Sequence, residues 1–180
     1  MTPNSLQQLY LEQLRDLYDA EQQIIKALPE MIDAATSTEL KDGLTEHLEV
    51  TKTQASRLEQ IFEDLGEKAK GEKCKGIRGV LEEGSDLVGK IDDPDLRDSA
   101  IIASAQRVEH YEMAGYGTAR TFATLLQQEE ASKLLQQTLD EEKEADQTLT
   151  ELAEEINLEA STGKEAQSEA ATRKRKKSAA

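Results

Sequence analysis

This sequence has few of the residues that build sheets, tight turns and disulfide-linked scaffolds. Among its 180 residues there are 3 Pro, 10 Gly and 1 Cys, and aromatic residues make up 3%. The scarcity of aromatic and β-branched runs argues against a β-sheet protein, and a single cysteine excludes an internal disulfide. Ala, Leu, Glu, Gln and Lys dominate instead, and these residues favour long helices. The composition therefore predicts an all-α protein with a single core.

Long apolar runs and basic clusters are equally scarce. No segment approaches the ~20 apolar residues of a membrane span, and the polar N-terminal residues lack a basic region. We therefore expect no signal peptide, no membrane association and a cytoplasmic location. The net charge is −15, and the one basic cluster, residues 173–177, leaves about −20 on the residues before it. This acidic body should repel nucleic acid, although DNA binding through the basic cluster is retained as an alternative.

Apolar residues recur at helical spacing over four long segments. The first runs from about residue 5 to 35, the second ends near Gly66, the third runs from about 92 to 126, and the fourth follows residues 127–130. The apolar stripe of the first segment consists of Leu6, Leu9, Leu14, Leu17, Ile24, Leu28 and Ile32. Short connections within each pair of segments, and a long crossover between the pairs, predict an antiparallel four-helix bundle.

The crossover and the C-terminal end differ from the four long segments. Residues 67–93 are rich in Lys and Gly and contain only a short helical pattern around Ile77 and Leu87. Cys74 lies there, and we expect an incidental thiol in a connecting segment rather than in a core. From about residue 159 the apolar stripe gives way to small and charged residues. We therefore predict a bundle over residues 1–158 and a disordered tail with a basic end over 159–180.

Acidic residues interrupt the apolar stripes near the middle of three segments. Glu109 and Glu112 lie on the otherwise apolar face of the third segment. Glu21 falls inside the first stripe, and Glu142 and Asp146 occupy successive inward positions of the fourth. Because the middles of antiparallel helices lie at the same height, we expect these five carboxylates to converge in the core.

Five converging carboxylates need positive charge. Unpaired and buried, they would repel one another and lose their hydration. Two divalent or trivalent metal ions would remove both difficulties, and carboxylate-rich sites favour hard ions such as iron or manganese. The alternatives are pairing with Lys or Arg, or a stripe that is one residue out of phase, so that the acids face solvent. Arg107 and Lys143 fall on other faces of their helices, which favours the metal.

His47 is the histidine that the second segment could contribute. It lies at the edge of the apolar face, beside Glu46 and Glu49. Two interpretations stay open: His47 is a metal ligand, or it covers the edge of the core while both glutamates are solvated.

Four motifs resemble the ferritin-like family that includes YciE and YciF. They are residues 14–22 (LRDLYDAEQ), 46–49 (EHLE), 108–112 (VEHYE) and 138–143 (TLDEEK). The resemblance extends over about residues 5–155. It implies a ferritin-like bundle that is usually dimeric, a rubrerythrin-like dinuclear metal site and a link to bacterial stress response.

The resemblance also implies a ligand set. It equates Glu21 with the lone Glu of the first ferritin-like helix, Glu109 and Glu112 with a pair on the third, and Glu142 with the Glu of the fourth. Ferritin-like sites usually carry Glu-x-x-His on the second and fourth helices. Here His47 has no Glu three residues before it, and Asp146 stands where a His is expected. The resemblance therefore implies a site that is almost entirely carboxylate.

Two functions follow as expectations. In the first, two iron ions, with manganese as the alternative, are bound in a homodimer that reacts with oxygen or peroxide or oxidises iron. Tyr111 and Tyr116 are then either partners of the ligands or ordinary core residues. A dimer encloses no cavity for iron storage. In the second, the protein is a non-catalytic acidic stress protein that acts as a dimeric interaction scaffold.

Overall fold

The chain folds into five α-helices over the residues that the structure describes. This computed structural model describes the backbone of residues 3–70 and 73–178, with side chains up to Thr162 except that of residue 159. The helices are α1 (Leu6–Ala34), α2 (Thr38–Asp64), α3 (Lys75–Val88), α4 (Pro94–Leu125) and α5 (Glu129–Ser178). The four long helices and the short helix of the crossover confirm the predicted all-α architecture.

The helix boundaries follow from local capping and turn chemistry. Side chains accept a hydrogen bond from a free backbone N–H at the start of the first four helices. These N-cap residues are Ser5, Ser37, Cys74 and Asp93. Gly66 follows α2 with a φ of 67°, and Gln127 adopts a φ of 59° in the turn between α4 and α5. The left-handed conformation at these two residues lets the chain leave the helix sharply.

Contacts between the long helices define an antiparallel bundle. Thr36, just after α1, binds Asp98 near the start of α4, whereas Glu21 earlier in α1 binds Tyr116 further along α4. Contacts between α2 and α5 follow the same opposed order. Short turns make α1–α2 and α4–α5 antiparallel hairpins, and α4 packs along α5 and against α1. The ferritin-like bundle predicted from the sequence is confirmed.

Two apolar clusters fill the bundle on either side of its middle. One includes Ala20, Ile24, Leu44, Ile102 and Leu149. The other includes Leu14, Leu17, Leu58, Tyr116 and Leu135. Along α1 the boundary between the clusters falls at Glu21, which lies between Leu17 and Ile24 and is fully buried. The polar middle of the bundle is therefore enclosed between two apolar layers.

Helix α3 occupies the crossover and packs against α4 and α1. Two glycines allow it to approach α4 closely. A Cβ atom at position 76 would lie 2.6 Å from the ring of Tyr111, and one at position 84 would lie 3.0 Å from Ser104 Cβ. A side chain at either position would require Tyr111 or Ser104 to shift.

Cys74 is a core residue, contrary to the expectation of a connecting segment. It is 1% exposed, and its sulfur lies 2.9 Å from the Tyr111 hydroxyl and 3.2 Å from Asp16 Oδ2. Burial is the main cause that raises the pKa of its thiol. The local composition is that of a loop, but the docking of α3 on α1 and α4 buries the residue that starts α3.

Asp98 ties the α1–α2 turn to α4. It is 3% exposed, and its two carboxylate oxygens accept hydrogen bonds from Thr36 N at 2.8 Å and Ser37 N at 2.7 Å. We expect Asp98→Ala to lower the free energy of unfolding by about 3 kcal/mol, because it leaves two backbone donors without their charged acceptor. Asp42→Ala, at an exposed position, should change it by less than about 0.5 kcal/mol. Urea denaturation measures both; equal effects would contradict the assigned role of Asp98.

Two further expectations concern the ends of the chain and membranes. The backbone of α5 continues as a helix to Ser178, whereas disorder was predicted for residues 159–180. The side chains of the basic cluster lie outside the described residues, so the predicted tail and the boundary at residue 158 stay predictions. No helix in the described part of the chain is both long and apolar enough to cross a lipid bilayer.

Candidate metal centre

The four long helices each contribute a polar side chain to the middle of the bundle. Glu21 comes from α1, His47 from α2, Glu109 and Glu112 from α4, and Glu142 from α5. The four glutamates are at most 2% exposed, and the His47 side chain is 12% exposed. The structure thus brings together five of the six predicted site residues.

The potential ligand atoms form two groups that share one residue. Atoms of Glu21, Glu112 and Glu142 lie within 4.8 Å of one another, and so do atoms of His47, Glu109 and Glu142. Each group could surround one cation, with Glu142 common to both. The arrangement therefore has the form of two adjacent ion positions joined by a carboxylate.

Most of these ligand atoms lack a partner. Seven buried atoms of the five residues make no hydrogen bond: Glu21 Oε2, His47 Nε2, Glu109 Oε2, both oxygens of Glu112 and both oxygens of Glu142. In the described part of the chain, none of the four glutamates has a Lys or Arg within ion-pair distance. Because buried polar groups are normally paired, the cluster lacks a component that supplies positive charge or protons.

Burial and mutual repulsion favour the protonated glutamates in the metal-free protein. Burial, with added repulsion between neighbouring carboxylates, raises the pKa of Glu21, Glu109 and Glu112 well above the usual value. Burial raises the pKa of Glu142 to about 7, even though a hydrogen bond with Glu109 lowers it. A proton shared between Glu109 and Glu142 would pair oxygens that have no donor when both groups are ionised. The metal-free cluster should therefore hold protons at neutral pH.

His47 presents a neutral ring to this cluster. Burial lowers the pKa of His47 to about 4, so the imidazole carries no charge at neutral pH. Its Nε2 lies 3.3 Å from Glu109 Oε1 but has no hydrogen bond of acceptable geometry. Glu46 and Glu49 are exposed, as the alternative interpretation required. The approach to Glu109 and the unpaired Nε2 suit a ligand better than a residue that only covers the core edge.

The two tyrosines singled out by the sequence have different surroundings. The Tyr116 hydroxyl donates a short hydrogen bond to Glu21 Oε1, and the residue is fully buried. The Tyr111 hydroxyl donates instead to Asp16 Oδ2 at 3.0 Å and contacts the Cys74 sulfur. Tyr116 is therefore a direct neighbour of the carboxylate cluster, whereas Tyr111 joins α4 to α1 and α3.

The sequence analysis missed a polar group beside the cluster. The Arg57 guanidinium binds both oxygens of Glu141, at 2.5 and 2.7 Å, and Gln54 donates to Glu141 at 3.3 Å. Gln54 is buried, and its proximity lowers the pKa of Glu142. Its position seven residues after His47, two helical turns along the same face of α2, is a signal that could have identified it.

Asp146 lies outside both ligand groups, although the sequence placed it among the converging carboxylates. Its Oδ1 accepts a hydrogen bond from Gln106 at 3.2 Å and lies 3.4 Å from His110 Nε2, in a side chain that is 24% exposed. One turn beyond Glu142, α5 directs this side chain to the rim between α4 and α5. Asp146 still acts on the site, because its charge contributes to the raised pKa of Glu109.

The residues present fit a pair of hard metal ions. Four buried carboxylates and one neutral imidazole offer mainly oxygen donors, which suit iron or manganese better than zinc or Cu(I). The unpaired oxygens and the unpaired His47 Nε2 are the atoms that coordination would satisfy. The hydrogen bond from Tyr116 to Glu21 is of the kind that orients a ligand around a metal.

Comparison with known proteins agrees with the fold. The family described as "Domain of unknown function (DUF892)" matches residues 5–162. The protein YciF of Escherichia coli is 38% identical over 154 residues, which are 85% of this chain and 93% of YciF.

Two solved structures also match over most of the chain. The crystal structure of the E. coli stress protein YciF aligns with a TM-score of 0.83 and 37% identity, covering 86% of this chain and 98% of that one. YcfI of Rhodopseudomonas palustris, described as a candidate structural protein, aligns with a TM-score of 0.80 and 46% identity, covering 82% and 94%. The chain therefore belongs to the DUF892 family and is similar over most of its length to YciF.

Proposed function

We propose that this protein is a non-haem dinuclear metal protein that reacts with oxygen or peroxide, or oxidises ferrous iron. The observation that carries the proposal is the set of seven unpaired, buried ligand atoms on five residues from four helices. The division of these residues into two groups that share Glu142 supports two ions rather than one. Two iron ions are the preferred occupants, and manganese is the alternative.

The charges around the cluster favour bound metal over neutralisation by an arginine or by protons. The nearest strong cation, Arg57, is already held by both oxygens of Glu141. Protons can neutralise the glutamates, but His47 Nε2, 3.3 Å from Glu109 Oε1, makes no hydrogen bond in this arrangement. Metal ions would satisfy the carboxylates and the imidazole together.

Each residue has a defined role in this proposal. Glu21 and Glu112 would hold one ion, His47 and Glu109 the other, and Glu142 would bridge the two. Tyr116 fixes the orientation of Glu21 through its hydrogen bond. Arg57 and Gln54 hold Glu141 and join α2 to α5 beside Glu142. The bound pair of ions would supply one-electron redox chemistry in a site that the two apolar clusters shield from bulk water.

The physiological setting is proposed by analogy with the relatives. Because YciF is described as a stress protein, we propose that this chain also acts under stress, where a metal pair that consumes oxidant would limit damage. We also propose a homodimer. The description of YcfI as a candidate structural protein favours a second function, an acidic bundle that serves as a scaffold.

Metal analysis separates these two functions. Protein purified from cells grown with iron should contain about two iron ions per chain, and ferrous ion added to the metal-free protein under air should accelerate oxygen consumption. A scaffold would bind metal weakly or not at all and would consume no more oxygen than ferrous ion in buffer.

His47→Ala should affect the two ion positions unequally. Only the group of His47, Glu109 and Glu142 loses a ligand, so we expect one ion to stay tightly bound and the other to bind about 10- to 100-fold more weakly. Glu46→Ala, at the exposed neighbouring position, should leave both affinities unchanged. Stepwise metal titration by calorimetry measures the two affinities. Two unchanged affinities in His47→Ala would remove His47 from the ligand set.

A further inference from the structure

A largely apolar cavity of about 240 Å³ lies beside the candidate metal centre. Helices α1, α3 and α4 form most of its wall, and α2 contributes two residues, Leu44 and His47. Its apolar wall includes Ile24, Leu28, Leu44, Val80, Ile101 and Val108. A void of this size forfeits many van der Waals contacts that closer packing of α3 would recover. An occupant would restore those contacts.

The inner end of the cavity consists of two ligand residues. His47 and Glu109 are part of its lining, and each has an unpaired atom, Nε2 and Oε2 respectively. Glu109 is 2% exposed. A largely apolar cavity thus includes buried polar atoms of the metal centre in its lining, the arrangement typical of a small-molecule site.

The outer part of the cavity carries negative charge. Glu30 and Glu82 line it and are both exposed to solvent, and Ser85 donates a hydrogen bond to Glu30 at 3.3 Å. The net charge of the chain is −15. An anionic ligand such as a fatty acid would be repelled at this entrance, whereas a neutral one would not.

A second cavity on the other side of the same two residues has a different character. It has a volume of about 300 Å³ and shares Leu44, His47 and Glu109 with the first. Its lining combines glutamates with apolar residues: Glu46, Glu141, Glu144, Leu40, Val50, Leu149 and Leu152. Four glutamates line it, against three in the first cavity, so it is the more acidic of the two and suits a neutral, mainly apolar ligand less well. The two cavities therefore provide an internal comparison, because they reach the same residues through different surroundings.

We propose that the apolar cavity binds a neutral, mainly apolar molecule of about 8 to 11 non-hydrogen atoms, with a hydroxyl or carbonyl end against His47 and Glu109. The size follows from comparison with a ~150 Å³ cavity that holds benzene. The molecule is the substrate of the proposed metal centre, and to that extent the inference rests on the proposed function. Binding itself needs only the cavity and is measured without metal.

The test uses 1-octanol as the neutral probe and octanoate as its anionic counterpart. Methyl NMR of the metal-free full chain should show that 1-octanol shifts signals of Val80, Leu81 and Ile101, while signals of Val50 and Leu152 in the second cavity stay unchanged. Octanoate should bind at least tenfold more weakly. No saturable shift with 1-octanol, or equal binding of both probes, would overturn the proposal.

Two matched substitutions locate the binding. Ala105 lines the apolar cavity and Ala145 lines the second cavity, and both are half-buried. Ala105→Leu should fill space and weaken 1-octanol binding at least fivefold, whereas Ala145→Leu should not. If Ala105→Leu does not fold, Ala27→Leu tests the same cavity from α1. Equal weakening by the substitutions in both cavities would contradict the assignment.

Metal titration of the same samples separates the two proposals. Tight binding of two ions without 1-octanol binding would leave the metal centre intact and reject the substrate cavity. Binding of 1-octanol without metal binding would keep the cavity and reject the proposed function, and with it the role of the ligand as substrate.

Discussion

Glu142→Gln is expected to abolish tight binding of both metal ions while making the metal-free protein more stable. Glu142 is the one residue common to both ligand groups, so a neutral amide at this position weakens both ion positions, each by at least ~100-fold. In the metal-free protein, burial raises the pKa of Glu142 to about 7, so at pH 8 its ionised form opposes folding. The amide has no such charge, and the free energy of unfolding should rise by about 1–3 kcal/mol.

Glu144→Gln is the matched control for this change. Glu144 lies on the same helix two residues away and is exposed, so the same loss of one negative charge should alter neither metal affinity by more than about twofold nor stability by more than about 0.5 kcal/mol. Calorimetric metal titration and urea denaturation measure the two effects. If Glu142→Gln retained two tight ions, the bridging position would belong to another residue.

The second prediction with a large effect is that bound metal reverses the pH dependence of the protein's stability. In the metal-free protein, the raised pKa values of Glu21, Glu109, Glu112 and Glu142 mean that the folded state holds protons that the unfolded chain has released. An unfolded glutamate loses its proton near pH ~4.3. The stabilisation by these groups is therefore complete below that pH and is lost as pH rises through the folded pKa values.

The pKa of Glu142 sets a minimum size for this loss of stability. For Glu142, the change from the unfolded value to about 7 corresponds to about 3 kcal/mol lost between pH ~4.5 and pH ~7.5. His47 opposes this trend between pH ~4 and pH ~6.5, because burial lowers its pKa to about 4. In that range the unfolded chain holds a proton that the folded His47 has released. The lowering effects of Arg57 and Gln54 are already included in the pKa of Glu142. The raised pKa values of Glu21, Glu109 and Glu112 add to the loss from Glu142 and together outweigh His47. The stability of the metal-free protein should thus fall as pH rises from 5 to 7.5, most steeply above pH ~6.5, where the opposing contribution of His47 ends.

Bound metal should reverse this trend, because cations favour the ionised carboxylates and protons compete for the same oxygens. Melting temperatures of chelated and iron-loaded samples should diverge by about 10 °C or more between pH 5 and pH 7.5. In Glu142→Gln, the pH dependence of the chelated protein should be shallower by about 3 kcal/mol. Parallel curves for chelated and loaded wild-type protein would show that the acids do not form a shared metal site, and the scaffold function would be favoured.

The stripe of the first helix shows where sequence periodicity reaches its limit. Leu14, Leu17, Ile24 and Leu28 are buried as predicted, but Leu6 and Leu9 are 37% and 39% exposed. Tyr10 is buried in their place. Leu9 lies one residue out of phase with the buried series Tyr10, Leu14 and Leu17, so it is turned toward solvent. Leu6 is in phase with that series, but its burial in the first turn depends on whether a neighbouring helix extends that far.

Helix packing, which periodicity does not specify, also explains why the structure differs from the sequence predictions at Asp146 and Cys74 and why Gln54 was not predicted. Asp146 and Glu142 share a helix face, but only Glu142 meets opposing side chains from the other three long helices. Gln54 lies beside the cluster because Glu141 and Glu142 of α5 face this turn of α2. Cys74 is buried because α3 docks on α1 and α4, and no local pattern encodes that docking. The apolar cavity arises in the same way, from the separation of α3 and its neighbours.

The sequence by itself determined the helices, their antiparallel pairing and the inward position of Glu21, Glu109, Glu112 and Glu142. It could do so because a 3.6-residue period, short turns and caps are local properties, and a carboxylate within an apolar stripe has only one direction to point. Only the tertiary structure decided that Glu142 is shared by two groups, that His47 faces Glu109 and that Asp146 stays at the rim. These features depend on the distances between side chains of different helices, which are set by how the helices pack and which periodicity does not specify.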